Sequence, residues 1–315
     1  MKVAVVIPVH NRPLMSLAAV RSVLRQTYKD FELIVVDDGS TLEMDAVRRE
    51  VESGGGTFVT QPHAGVAAAR NLGVRHSRGE WVAFLDSDDR WLPDKLEVQC
   101  AFHQEHPECR ISQTEELWYR NGVRVNPRER HAKPNGDAFA RSLDLCCISP
   151  SSVMVDCALL LENGGFDEAM RVCEDYDLWI RIALTHQVGY IELPLVEKFG
   201  GHSDQLSRSE PAMDRFRVYS LIKLAQSAEL APEADQAVRE TIRKKTKVLL
   251  KGSRRRRNDS FSELLEAILK LAKQPSYGAT KARWLAFASR ERLIESMAGQ
   301  AVFDGVSLEP RSVNE

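Results

Sequence analysis

Three carboxylates close the stretch Trp81-Val82-Ala83-Phe84-Leu85-Asp86-Ser87-Asp88-Asp89. A short apolar run that ends abruptly in acids reads as a buried strand delivering them to its carboxyl end, where open α/β sheets bind ligands. Carboxylates this close together repel one another and raise each other's pKa, so their coexistence points to a divalent cation. A solvated, helix-capping loop ahead of Pro93 is the bland alternative. The position at the end of a buried strand favours the ligand site.

Polar residues close two other apolar runs. His10-Asn11-Arg12 follows Val3 to Val9, and Asp37-Asp38-Gly39-Ser40 follows Glu32 to Val36. Alone, the second cluster would be a turn. With Arg70-Asn71 added, the set combines hydrogen-bond acceptors, a guanidinium and metal-type carboxylates, which suits a nucleoside diphosphate held through Mg²⁺ or Mn²⁺. No G-x-x-x-x-G-K-[ST] and no G-x-G-x-x-G follows the first strand, so neither a P-loop nor a dinucleotide fingerprint accounts for these residues. Glu174-Asp175 opens a helical pattern. Acids are common in a first helical turn, and the same N–H dipoles would favour an ionised, basic carboxylate, so spacing alone leaves cap and general base open.

To bring these clusters to one edge, the strands carrying them must run parallel. Val3 to Val9 is nearly all apolar, as in a strand covered on both faces, and Pro13 to Gln26 follows with helical spacing. The unit repeats as Glu32 to Val36 with Met44 to Val51, Thr57 to Thr60 with Val66 to Arg75, and Trp81 to Leu85 with Asp94 to Gln104. Pro93 reads as a first-turn proline of the last of these helices. Successive β-α units predict a mostly parallel sheet flanked by helices, an α/β fold. The alternation then breaks. Ile111 to Tyr119 and Val123 to Val125 around Asn121-Gly122 predict a hairpin. Ser151 to Val155 reads as a strand, Ala158 to Glu162 and Tyr176 to Leu184 as helices, and Val188 to Ile191 and Leu195 to Phe199 as two further strands. From about Glu210 only helices are expected, over 215–229, 234–250, 261–273 and 281–297, with a loose tail from Asp304.

The ordered motifs Ile7-Pro8-Val9-His10-Asn11-Arg12, Val35-Val36-Asp37-Asp38-Gly39-Ser40, Gly65-Val66-Ala67-Ala68-Ala69-Arg70-Asn71, Leu85-Asp86-Ser87-Asp88-Asp89, Gly164-Gly165-Phe166-Asp167 and Glu174-Asp175-Tyr176-Asp177-Leu178-Trp179 resemble those of family 2 glycosyltransferases with the GT-A fold. The resemblance extends to His202-Ser203-Asp204-Gln205-Leu206-Ser207. It implies a catalytic domain over residues 1–208 and leaves 209–315 as a helical extension with a basic segment at 239–257. It further implies an inverting enzyme in which Pro8, His10, Asn11 and Asp38 line the nucleotide pocket, Asp38 accepts from a uracil ring, and Arg70 sits near base and diphosphate. Asp86 and Asp88 would form the DxD-type motif, with Asp88 the direct metal ligand, Ser87 on the donor side and Asp89 facing the donor sugar. Asp175 would be the general base with Glu174 beside it. His202 would close the metal site, a role weighed against that of an ordinary surface histidine. Gly165 is a close approach to the donor sugar or a helix C-cap, and one residue can serve as both. Trp91 and Trp179 could stack on sugar, although aromatics beside apolar helices are usually core. His10 stands where the family often has Tyr, and Cys173 where small residues are common; these departures bear on the acceptor and leave the reaction type intact.

The implied partners are a nucleotide-sugar donor, with UDP first, and a glycan or lipid-linked saccharide acceptor, as in surface polysaccharide assembly. Two other readings are a sugar nucleotidyltransferase, which would need a Gly-rich basic loop where Val9-His10-Asn11-Arg12-Pro13 stands, and a catalytically silent scaffold, which the intact Glu174-Asp175 pair argues against. Net charge is −2, and no aromatics interleave with the arginines, so nucleic acid is not expected as a partner. Arg239, Arg243, Lys244, Lys245, Lys247, Lys251 and Arg254 to Arg257 surround Val248-Leu249-Leu250. Such a helix is either a solvated face or a peripheral contact with an anionic bilayer. The six cysteines include no C-x-x-C pair, the chain opens directly on what reads as a first strand, and no apolar run reaches membrane-spanning length. These features lead to an expectation of reduced thiols and a cytoplasmic protein, with peripheral docking at the inner face of the membrane as the further option that the basic helix offers.

Overall fold

In the computed structural model, residues 1–275 are described except 128, 203, 204, 206–209 and 228. The expected helix over 281–297, the tail from 304, and Ser203, Asp204, Leu206 and Ser207 lie outside the described residues. The chain divides into two compact units, the first spanning Met1–Met213 and the second beginning at Asp214.

In the first unit, strand β1 (Val3–Val9) is buried along its whole length because partners flank both edges and helices cover both faces. Its alternate residues Val3, Val5, Ile7 and Val9 pack with Ala19, Val20 and Val23 of α1 (Pro13–Leu24) and Val47 and Val51 of α2 (Asp45–Ser53). The other face meets α3 (Val66–His76). Gly73 makes that approach possible, since a Cβ there would lie 2.3 Å from a methyl of Val6. β2 (Phe31–Asp38), β3 (Thr57–Gln61) and β4 (Trp81–Phe84) continue the parallel ladder in the spatial order β3-β2-β1-β4. The four β-α units expected from the sequence are therefore present, the fourth closed by α4 (Lys95–Glu105).

Beyond β4 the sheet changes direction. β8 (Val153–Asp156) pairs antiparallel with β4, with Val82 opposite Val155, and β6 (Ile111–Arg120) pairs antiparallel with β8. β6 and β7 (Val123–Val125) make the expected hairpin. In place of the two expected late strands there is one, β9 (Gly189–Gly200), parallel to β6 and irregular where Glu115 faces Pro194. Proline lacks the N–H needed for the ladder, which is why the apolar pattern appears broken there. β5 (Arg90–Trp91), antiparallel to β9, was not expected, nor was α5 (Phe139–Asp144). Pro93 precedes the N-cap Asp94 and so lies ahead of the first helical turn. The short α6 (Cys157–Glu162) and then α7 (Glu174–Ala183) complete the unit.

The second unit contains α8 (Asp214–Ser227), α9 (Pro232–Arg255) and α10 (Asp259–Leu271). Val238, Ile242, Leu249, Leu264, Leu265 and Ile268 are buried. The basic run of α9 is divided by the fold: Arg239 bonds buried Asp235 at 2.8 Å and Lys245 reaches Asp214 at 3.2 Å, whereas Lys244, Lys247, Lys251 and Arg254 to Arg257 are exposed.

Behind the sheet edge, His103 of α4 lies against Trp81 with ring centroids 3.9 Å apart, donates from Nδ1 to the Cys109 carbonyl at 2.9 Å and accepts from Ser112 Oγ at 2.8 Å. Burial, only partly offset by the Cys109 carbonyl, pushes its imidazole down to about 4. The unfolded state therefore takes up the proton first, so the stability His103 provides is present above about pH 6.5 and is lost as pH falls towards 4. The loss is of the order of 3 kcal/mol. Urea denaturation across this range should give a shallower pH slope for His103→Gln than for the parent chain; equal slopes would remove His103 as the cause.

Candidate active site

The backbone that carries the three acids is fixed before their side chains act. The Leu85 N–H donates to the Val6 carbonyl at 3.1 Å, the Asp86 N–H to Ser151 Oγ at 3.1 Å, and the Asp89 N–H to the Asp86 carbonyl at 3.0 Å. Asp86, Asp88 and Asp89 each place an oxygen within 4.8 Å of the others. Their environments separate them. Asp89 is buried and accepts from Ser151 Oγ at 2.6 Å and the Phe199 N–H at 3.1 Å. Burial, opposed by Lys198 and reinforced by Asp88 and Asp86, pushes its carboxyl well above the usual range. Asp88 Oδ2 accepts from Arg12 Nη1 at 3.0 Å and Nε2 of His202 at 2.9 Å, and its Oδ1 has no partner among the described residues. Two carboxylates that keep oxygens free, with an imidazole bonded to one of them, make a donor set that fits Mn²⁺ or Mg²⁺. Asp86, Asp88 and His202 are the residues that would hold the ion.

Arg70 connects this cluster to the second acidic pair. Its Nη2 bonds Asp86 Oδ1 at 2.7 Å and its Nη1 bonds Glu174 Oε1 at 2.6 Å, with the guanidinium 5.1 Å from the Phe166 ring centroid. Burial alone would lower the guanidinium pKa, but Asp86 and Glu174 more than offset it and hold the group charged. The partners respond unequally: burial and Asp175 outweigh Arg70 at Glu174 and push its carboxyl up to about 7. The short contact favours the ionised pair, while burial works against it.

Glu174 and Asp175 sit in the first turn of α7, where free N–H groups face acids. The residue before them, Cys173, adopts φ +62°, a left-handed conformation that costs a residue with a Cβ on the order of 1–2 kcal/mol. Asp175 accepts the Tyr176 N–H at Oδ1, 2.7 Å away, and the Cys146 thiol lies 3.4 Å from Oδ2. Burial, with Asp175 adding to it, pushes that thiol well above its usual range, so it stays protonated.

These groups line a cleft of about 310 Å³. Pro8, Arg12, Arg70, Asp86, Ser87, Asp88, Asp89, Glu174 and Asp175 are on its wall. His10, Asn11, Asp38 and Gly165 are not. Asn11, at φ +53°, spends its side chain on the following turn: Oδ1 accepts the N–H groups of Thr41 and Leu42 at 2.8 and 3.0 Å. Gly165 closes α6, donating to the Leu160 carbonyl at 3.1 Å with φ +68°, and packs against Asn71. Trp91 and Trp179 are both buried, Trp91 donating to the Ser151 carbonyl at 2.7 Å.

Sequence reading missed the opposite wall. Glu116 on β6 is buried between Lys133, 3.4 Å away, and Lys198 on β9, 4.0 Å away. Burial opposes its ionisation, yet the two lysines bring its carboxyl down to about 2. Lys198, bonded to Ser149 Oγ at 2.7 Å, is pushed up against its burial by Glu116 and the three aspartates. The only signal was charge within segments that read as strands, which a sequence does not separate from a solvated edge.

A sheet ordered β3-β2-β1-β4 with acids at the end of β4 and an acidic pair at the start of α7 is the architecture of GT-A glycosyltransferases. Residues 4–146 match the model of Glycosyl transferase family 2. An uncharacterized glycosyltransferase of Rickettsia conorii is 35% identical over 211 residues, 64% of this chain, and the chain spans only 33% of that relative's length. The Escherichia coli UDP-Glc:alpha-D-GlcNAc-diphosphoundecaprenol beta-1,3-glucosyltransferase WfgD is 28% identical over 68% of this chain and 81% of its own. Among solved structures, Staphylococcus aureus TarS 1-349 in complex with UDP-GlcNAc has a TM-score of 0.68 at 18% identity, covering 98% of this chain and 93% of that one. The mannosyltransferase PcManGT from Pyrobaculum calidifontis, in complex with GDP-Man and Mn²⁺, has a TM-score of 0.55 at 18% identity, covering 96% and 88%.

Replacing Arg70 by Met should leave Glu174 buried and unpaired and remove the counter-charge of Asp86. Losing one partner of a buried ion pair costs about 3–5 kcal/mol. A drop of that size in unfolding free energy is expected from urea titration, and a change below about 1 kcal/mol would show that the bridge is not structural.

Proposed function

We propose that the protein is an inverting glycosyltransferase that moves a sugar from a nucleoside diphosphate donor, with UDP first, to a hydroxyl of a glycan or lipid-linked saccharide in surface polysaccharide assembly. The reading rests on one cleft that gathers the acids ending β4 and the acidic pair opening α7, with Arg70 bonded to both. The naming of WfgD as a UDP-Glc transferase acting on a diphosphoundecaprenol-linked sugar, and the UDP-GlcNAc complex of TarS, support the donor and acceptor classes.

A divalent cation held by Asp86, Asp88 and His202 would supply charge neutralisation to the departing diphosphate. Arg12 and Arg70, both on the wall, are placed to bind the same phosphates. Asp175 takes the acceptor hydroxyl proton as its oxygen bonds the anomeric carbon and the bond from that carbon to the phosphate oxygen breaks, with the electron pair leaving on the nucleoside diphosphate. Attack from the face opposite the leaving group inverts the configuration. Glu174 is a positioning residue that holds Arg70 and so the phosphate side of the cleft. Among the described residues no helix is long and apolar enough to cross a membrane. Contact with a lipid-linked acceptor would instead use the cations of α9, where Lys244, Lys247 and Lys251 flank Val248, itself 63% exposed.

Asp175→Asn should lower transfer at least about a hundredfold while UDP binding measured by calorimetry is retained; full transfer activity would remove Asp175 as the base. In the same experiment Asp88→Ala should abolish the Mn²⁺ dependence of UDP binding. Vesicles of phosphatidylglycerol should co-sediment the protein where phosphatidylcholine vesicles do not, and Lys247→Glu with Lys251→Glu should reverse this. Equal recovery with both lipids would sink the membrane contact.

A further inference from the structure

The Asp38 carboxylate, with about four lone-pair sites, accepts three hydrogen bonds and has a fourth nitrogen beside it. Oδ1 accepts from Gln61 Nε2 at 2.7 Å and the Ala64 N–H at 2.8 Å, and Oδ2 from the Gly65 N–H at 2.9 Å. Nδ1 of His63 lies 2.9 Å from Oδ2 and hydrogen-bonds the Asp38 carbonyl at 3.1 Å. The first three partners belong to a strand end and a loop backbone. His63 is of a different kind: its side chain is 61% exposed, against 4% for Asp38.

The His63 ring also stacks on His10, with centroids 4.3 Å apart and planes 24° apart. His10 is fixed from behind, with Nδ1 2.8 Å from the Asp38 carbonyl and Nε2 accepting from Asn11. A planar heteroaromatic ring therefore lies on His10 with a ring nitrogen beside both the carboxylate and the carbonyl of Asp38. A pyrimidine with an imide N–H would make those same two contacts. On this side the open cleft is lined by Pro8, Arg12 and Val66, and its wall does not include His10 or Asp38.

From these contacts we infer that His63 occupies the nucleobase position in the free protein and must rotate out before a donor with a ring N–H base, such as uridine, can bind. The inference rests on the nucleotide-sugar reading above and adds to it a residue that sets donor affinity by competition. Rotation of the side chain is enough. The loop backbone is held on Asp38 through Ala64 and Gly65, and it abuts Gly39, where a Cβ would lie 2.5 Å from the His63 nitrogen. Gly39 has φ +69°, so the turn is shaped to admit this backbone.

The test is calorimetric titration of UDP, with Mn²⁺ present, into the full chain and into His63→Ala, an exposed site whose truncation leaves the fold intact. Removing the competitor frees the stacking face and one charged acceptor site, so UDP should bind at least about fivefold tighter to the variant. Inorganic pyrophosphate, which has no base, should bind both proteins equally. Unchanged or weaker UDP binding by the variant would overturn the inference, the weaker case making His63 part of the donor site. An equal gain for pyrophosphate would overturn it too, placing the effect at the phosphates. If neither protein binds UDP, the nucleotide-sugar reading falls and this inference falls with it.

Discussion

Without Arg70, the end of β4 and the start of α7 would present carboxylates to one another with no positive charge between them. One guanidinium bonds both, and its two contacts of 2.6 and 2.7 Å fix how far the two acidic clusters stand apart. A planar fork with several donors suits this task where a lysine's point charge would not. The bridge depends in turn on packing remote from the cleft. α3 must lie close to β1 for Arg70 to reach, and Gly73 makes that approach possible.

The cleft is balanced from both sides. Acids at the end of β4 and the start of α7 face Arg12, Arg70, Lys133 and Lys198, and Glu116 divides its charge between the two lysines. A nucleoside diphosphate with its cation would enter a site that already carries both signs of charge. Little rearrangement of protein charge is then needed when the leaving group takes up its electrons, which is the physical content of a preorganised site. The strained Cys173 ahead of the acidic pair belongs to the same design, since it turns the chain so that the first turn of α7 points its acids into the cleft.

Much of this was legible in the sequence, for a definite reason. Runs such as Val3 to Val9 and Trp81 to Leu85 are continuous and apolar because the strands are buried on both faces, and they end in polar residues because the sheet has one working edge. The division of the acids by role was implied by the resemblance alone. What stayed hidden depends on pairings between distant segments. β5 is two residues long, and β9 reads as two strands because Pro194 interrupts its ladder. Glu116 and Lys198 come together only because β6 and β9 pair, and they are distant in the chain. Residue type alone did not show that Gly165 caps a helix; its positive φ and its bond to Leu160 do. Nothing about a single histidine between Pro62 and Ala64 announces that it stacks on His10.

Asn11 and Asp38 together stitch three loops. Asn11, left-handed at the end of β1, holds the backbone of Thr41 and Leu42, while Asp38 at the end of β2 holds that of Ala64 and Gly65. Neither turn is therefore an independent part. Exchanging one of these loops with a relative to alter donor choice would strand the side chain that anchors it. The transferable module is the whole edge from His10 to Gly65, inherited as one block, and recombination points for chimaeras belong outside it.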